Sequence, residues 1–243
     1  GRYGYHPFCV APSAVRSPIS RFSPWAMPKW LIQKTISNYV RCSVLAEQAG
    51  YDGIEIMGSE GYLINQFVAS RTNKRTDEWG GSFNNRIRFP LSIVRSVLEK
   101  VSKNFVIMFR LSMLDLVEGG SSWQEVVDLG TGLEEAGVDI INTGIGWHEA
   151  RVPTIAATIP RGAFSFVTKK IKEVIKVPLV CTNRINTPEV AENLLQEGHA
   201  DLVSMARPLL ADPEFVLKCK QLRSDEINTC IGCNQACLDY VFV

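Results

Sequence analysis

A chain of 243 residues, 46% of them hydrophobic, is long and apolar enough to bury one large core, in the size range of a single α/β barrel. Its 26 Lys and Arg balance 25 Asp and Glu, so no global charge excess points to nucleic acid or an anionic membrane, and neither is expected as a partner. No apolar run is long enough to cross a bilayer, and Gly1-Arg2-Tyr3-Gly4-Tyr5 lacks the Met, basic stretch and apolar stretch of a signal peptide, so the start reads as a cut edge.

From about residue 28, short β-branched runs alternate with longer segments of helical period, the pattern of parallel strands joined by crossover helices. The first predicted strand covers residues 50–57. After it, Ile87, Leu91, Val94, Leu98 and Val101 recur at steps of four and three, which gives one apolar helix face. Predicted strands over 105–112, 138–146 and 178–185 follow. Thr187 then stands as a helix N-cap, with Pro188 at the first helical position and Gly198 closing the helix before a last strand at 201–208.

A doubly wound open sheet and an eight-stranded (β/α)8 barrel both accommodate this series. No Gly-x-Gly-x-x-Gly stands between a strand and a helix, which counts against a dinucleotide-binding open sheet. In barrel enzymes the chemistry sits at the C-terminal ends of the strands. Here those ends carry Met57 to Tyr62, Arg110 to Ser112, Gly146 to Glu149, Thr182 to Arg184 and Met205 to Arg207, so the barrel is the expected fold.

Cys9, Cys42, Cys181 and Cys219 are isolated, whereas Cys230, Cys233 and Cys237 fall within eight residues. That is no disulfide scaffold, and it suits a reducing compartment: a cytoplasm, or an organelle in a eukaryotic source. Zinc sites usually pair Cys-x2-Cys knuckles, so three cysteines this close favour an iron–sulfur site.

The stretch Gly50-Tyr51-Asp52-Gly53-Ile54-Glu55-Ile56, then Gly61-Tyr62-Leu63, resembles the fourth-strand region of the old yellow enzyme family of flavin-dependent TIM barrels. Residues 71–82, continuing to Asn85-Arg86 and Arg88-Phe89, resemble that family's long signature loop. Within the family, Met57-Gly58-Ser59-Glu60-Gly61-Tyr62, Gly144 to Arg151 and Cys230 to Cys237 look most like bacterial 2,4-dienoyl-CoA reductases. Ordinary ene-reductases of the family place a His pair or a His-Asn pair where this chain has Met57 and Glu60.

The resemblance implies a set of roles. Tyr62 would donate a proton and His148 would hydrogen-bond to or polarise the substrate beside it. Their structural alternatives are a rim aromatic and a satisfied core histidine. Arg110 would place its charge by the flavin pyrimidine, or else form a barrel-mouth ion pair. Asn183-Arg184 and Ala206-Arg207 would clamp the flavin phosphate. Arg71, with His148, Glu149, Ala150 and Arg151, would face the substrate, whereas Lys74 and Arg75 read first as a solvated loop face. Cys230, Cys233 and Cys237 would ligate a 4Fe-4S cluster, whose fourth family cysteine falls beyond Val243.

By the same resemblance, residues 1–225 are the last five strands of an FMN-binding barrel and residues 226–243 begin a cluster-binding segment. Gly1-Arg2-Tyr3 resembles the end of the third barrel strand, so flanking segments of the parent chain are expected partners. FMN and the cluster are the implied cofactors here, with FAD and NADPH bound by a further region. The implied reaction reduces 2,4-dienoyl-CoA thioesters in β-oxidation. An amine dehydrogenase or enoate reductase of the same superfamily, or a truncated non-catalytic remnant, are the rival readings.

Overall fold

The computed structural model describes residues 8–239, so the expected strand end at Gly1-Arg2-Tyr3 lies outside the described residues. Two short strands, β1 (Val10–Ala11) and β2 (Trp25–Ala26), pair in parallel ahead of helix α1 (Lys29–Gln48). Strand β3 (Gly53–Gly58) follows, then helices α2 (Leu63–Val68), α3 (Phe83–Arg86) and α4 (Arg88–Leu98). Strand β4 (Val106–Leu114), helix α5 (Trp123–Ala136), strand β5 (Ile140–Ile145) and helix α6 (Ser165–Ile171) continue the alternation. Strand β6 (Leu179–Cys181), helix α7 (Pro188–Gln196) and strand β7 (Leu202–Val203) complete it. Helices α8 (Arg207–Ala211), α9 (Phe215–Lys220) and α10 (Gln235–Asp239) close the described chain.

The main sheet is parallel throughout and its order is β3-β4-β5-β6-β7. Each strand therefore lies beside its predecessor, with none of the order reversal that defines a doubly wound sheet. That is barrel-type winding. Among the described residues the sheet has five strands and does not close, which fits part of a barrel.

Period-two alternation sorts the sheet into two faces. Ile56, Phe109, Ile141 and Leu179 lie in one register row, buried at 2% exposure or less, and belong to the core that includes Phe89, Ile93, Val94 and Val97 of α4. The predicted apolar helix face is thus real. The next row, Met57, Arg110 and Asn142, faces the other way and carries polar groups. Asn142 Nδ2 donates to Glu55 Oε1 at 2.6 Å on that side. Opposite, Phe67 and Phe89 stack with ring centroids 4.2 Å apart, and Trp79 meets Phe89 edge-on.

The signature loop is held by buried polar bonds. Arg75 reaches Asp77 with Nη2 at 2.7 Å and gives Nη1 to the carbonyls of Pro12 and Met27. Its side chain is only 11% exposed, so Arg75 braces the loop onto the β1–β2 segment and is not a solvated face. Lys74 is exposed, with Nζ on the Ser70 carbonyl.

The last two predicted strands stop well short of their expected ends. The strand expected over 178–185 stops at Cys181, because Asn183 and Arg184 take left-handed φ angles of 71° and 59°. The strand expected over 201–208 stops at Val203, and Arg207 with Pro208 starts α8. The predicted cap of α7 is present: Thr187 Oγ1 accepts from Val190 N–H at 3.4 Å, and Gly198 has a φ of 70°.

Candidate active site

The loops after β3, β5, β6 and β7 open into one cleft of about 1490 Å³, to which β4 adds Arg110 from within the strand. Glu60, Tyr62, Arg71, Arg110, His148, Glu149, Ala150, Asn183, Arg184, Ala206, Arg207 and Cys230 line it. Arg151 does not, and it is exposed outside the cleft. Its expected substrate contact has no support in this geometry.

Tyr62 follows β3 and His148 follows β5, 86 residues apart, yet Tyr62 Oη and His148 Nε2 are 2.8 Å apart. The rings meet edge to face with centroids 5.1 Å apart. Tyr62 is 48% exposed and His148 is exposed, so the pair faces the cleft and is not sealed in a core. The preceding Gly61 has a φ of 79°, and a Cβ there would stand 2.9 Å from the Trp147 ring. Glycine at 61 thus lets the two loops approach closely enough for the pair to meet.

Two arginines in the cleft are oriented by carboxylates. Arg71 Nε donates to Glu149 Oε1 at 2.8 Å and Nη1 to the Glu118 carbonyl, while Ser17 Oγ donates to Glu149 Oε2 at 2.5 Å. Glu149 therefore has both oxygens engaged inside the protein, and it aims Arg71 where direct ligand contact was expected of it. Arg110 Nε donates to Glu60 Oε1 at 3.0 Å, and Ser59 Oγ donates to Glu60 Oε2 at 2.7 Å. The ion-pair alternative for Arg110 is observed, while its Nη groups have no partner among the described residues. Glu60 holds a φ of 56°, a conformation disfavoured for a non-glycine residue and often found where function demands it.

At the other end of the cleft, Arg184 is buried, and its guanidinium is pushed below its ordinary pKa by desolvation and by the charges of Arg207 and Arg161. Neither Arg184 nor Arg207 has a carboxylate at ion-pair distance among the described residues. Crowded cations without a carboxylate make an anion site. The phosphate end of a flavin nucleotide fits this donor set.

The cysteine segment packs against that site. A Cβ at Gly232 would stand 2.6 Å from Arg184 Nη1, and Asn186 Nδ2 donates to the Cys230 carbonyl at 2.6 Å. Cys230 borders the cleft, whereas Cys233 and Cys237 are exposed. Among the described residues no three His, Cys, Asp or Glu side chains are gathered as a metal site. Between Cys233 and Cys237, Asn234 turns left-handed at a φ of 62° and α10 begins. A cubane also takes four protein ligands, and this segment supplies three cysteines.

Sequence reasoning left three polar residues without a role. Glu60 was visible as a departure from the usual His pair. Ser17 and Asp115 carried no signal, because nothing in the sequence tells which distant donors a carboxylate or hydroxyl will meet.

The open parallel sheet of barrel winding brings Tyr62, His148 and several arginines to one cleft at its strand ends, the place where barrel enzymes keep their chemistry. The chain matches the NADH:flavin oxidoreductase / NADH oxidase family over residues 8–226, and it belongs to that family, which implies FMN. It is 39% identical to the metal reductase of Desulforamulus reducens, over 100% of this chain and 37% of that protein. It is also 39% identical to the NADH oxidase of Thermoanaerobacter brockii, over 94% of this chain and 35% of that protein. A structure of 2-naphthoyl-CoA reductase with 2-naphthoyl-CoA superposes with a TM-score of 0.94 at 36% identity, covering 98% of this chain and 36% of that one. The chain thus spans little more than a third of the length of these relatives.

Proposed function

We propose that the protein carrying this chain reduces conjugated acyl thioesters of the 2,4-dienoyl-CoA type, with Tyr62 as proton donor. The carrying observation is the 2.8 Å contact between Tyr62 Oη and His148 Nε2 at the mouth of the cleft. Arg184 and Arg207 would hold the phosphate of FMN and Arg110 would stand by its ring, and the bound flavin would supply the hydride.

The protein's own groups handle the proton and the charge. A Tyr62 phenol that gave its hydrogen to His148 would have none for the substrate, so the productive tautomer has His148 Nε2–H donating to Tyr62 Oη. The phenolic proton then points to the substrate carbon, and the imidazole N–H stabilises the phenolate left behind. Arg71, aimed by Glu149, is the proposed contact for the thioester portion, and Ala150 lines the cleft beside it. Asn183 and Ala206 complete the proposed phosphate end.

Residues 1–225 are proposed as the FMN-binding part and 226–243 as the start of a cluster-binding part. A 4Fe-4S role for Cys230, Cys233 and Cys237 rests on their spacing alone, and no step above passes through it. FAD and NADPH are proposed for other regions of the protein, and β-oxidation of unsaturated acyl chains as its setting. The likeness to a reductase solved with 2-naphthoyl-CoA supports a CoA thioester over the amine substrates of the rival reading.

Tyr62→Phe in the full-length protein tests the reading. General acid catalysis contributes about 10²- to 10⁴-fold, so kcat for a dienoyl-CoA is expected to fall within that range while the thioester still binds. A variant that keeps its full kcat would remove Tyr62 from the chemistry.

A further inference from the structure

Asp115 lies just past β4, between the loops that carry Tyr62 and His148, and it is 4% exposed. No ion pair to it exists among the described residues. Four donors surround its carboxylate instead. Oδ1 accepts from Trp147 Nε1 at 2.8 Å, from Ser112 Oγ at 2.6 Å and from Asn65 Nδ2 at 3.3 Å, and Oδ2 accepts from the Ser121 N–H at 2.7 Å. A buried carboxylate without a cation persists only where such donors are fixed in place.

The donors reach both catalytic loops. Asn65, which gives Nδ2 to Asp115, takes the Gly61 N–H on its Oδ1 at 2.9 Å, and Gly61 immediately precedes Tyr62. Trp147, which gives Nε1 to Asp115, also gives its backbone N–H to the Asp115 carbonyl at 3.0 Å, and it immediately precedes His148. The Trp147 ring in turn covers Gly61. One carboxylate oxygen is therefore common to the residue before His148 and to the side chain that fixes the residue before Tyr62.

The loop after β4 is built around this group. Leu116 turns left-handed at a φ of 57°, which brings Ser121 back over Oδ2. A Cβ at Gly120 would stand 2.6 Å from Asp115 Cβ, so the space for the carboxylate is reserved by glycine.

We propose that Asp115 is the positioning residue that sets the distance between Tyr62 and His148, acting through Trp147 on one side and Asn65 on the other. It touches neither partner, and its catalytic role rests on the Tyr62 proton-donor reading above. A displacement of about 1 Å in a catalytic group costs on the order of 10²-fold in rate.

Two variants of the full-length protein test this. Asp115→Asn keeps the shape but turns an amide N–H against one of the four donors, and Trp147→Phe removes one donor while leaving a ring over Gly61. Crystal structures of either folded variant are expected to show Tyr62 Oη and His148 Nε2 separated beyond hydrogen-bond distance. With the dienoyl-CoA thioester, kcat is expected to fall by about 10- to 100-fold with KM changed less than about threefold. In a Tyr62→Phe background the same substitutions are expected to cost less than about twofold, whereas a purely structural role would multiply the two losses. A Tyr62–His148 contact unchanged in Trp147→Phe, or losses that multiply, would overturn the inference. If the unsubstituted protein does not turn over the thioester, the functional reading fails, and the crystal structures still decide the positioning role.

Discussion

At the residue scale, the presence of Tyr62 and His148 on one cleft is legible in the sequence and what supports them is not. Tyr62 and His148 stand in strand-end motifs, where barrel winding brings such residues to one cleft, so their meeting follows from topology. Glu149 looked equally exposed to ligand, yet its two oxygens are used by Arg71 and Ser17. Arg75 looked like a solvated loop cation and is a brace between carbonyls. Both misreadings concern partners far away in sequence, which local patterning does not reveal. Asp212 is likewise engaged inside the protein, by partners two to sixteen residues away. The Lys218 ammonium beside it, helped by the N–H groups of Asn228 and Glu214, holds its carboxyl below the usual range. A carboxyl lowered in the folded state stabilises above its unfolded value of about 3.9, and that contribution disappears as pH falls through the lower folded value. The protection factor of the Asn228 amide is therefore expected to hold from neutrality down to about pH 4. It is expected to fall at lower pH, and at neutral pH in Asp212→Asn. Equal protection in that variant would show that Asp212 does not hold the segment.

At the scale of elements, the alternation of strands and helices was read correctly, and the ends of β6 and β7 were not. The apolar run of β6 ends at Cys181, and the polar Thr182, Asn183 and Arg184 that follow line the cleft, the last two with left-handed φ angles that end the strand. Asn and Arg have less reason than Leu and Val to stay on a pleated, half-buried surface. Strand β4 is the opposite case, since it runs past its expected end at Ser112, with Ile107, Phe109, Leu111 and Met113 all buried in the core. Phe109 sits in the middle of it at 0% exposure, against the core shared with α4. Phe109→Ala is expected to destabilise the fold by about 3–5 kcal/mol, the range for large-to-small changes at packed sites. Denaturant unfolding of the full-length protein would read this, and a loss under about 1 kcal/mol would mean that the site relaxes around the cavity.

At the scale of the whole molecule, the sequential order β3-β4-β5-β6-β7 decides between the two architectures left open by periodicity. Pattern alone does not say on which side of a strand its successor will pair. The same order explains why one cleft collects residues from Glu60 to Arg207, because parallel strands in sequence deliver their C-terminal ends to the same side. The cleft is lined by the hydrogen-bonded Tyr62 and His148, by Arg184 and Arg207 without a carboxylate partner among the described residues, and by Arg110. That arrangement suits a nucleotide cofactor with a conjugated substrate over its reacting end. The most direct measurement is turnover by the full-length protein, given NADPH, of a 2,4-dienoyl-CoA thioester, set beside oxidation of simple amines by the same preparation. The account predicts reduction of the thioester and no amine turnover, whereas oxidation of amines with the thioester left untouched would contradict it.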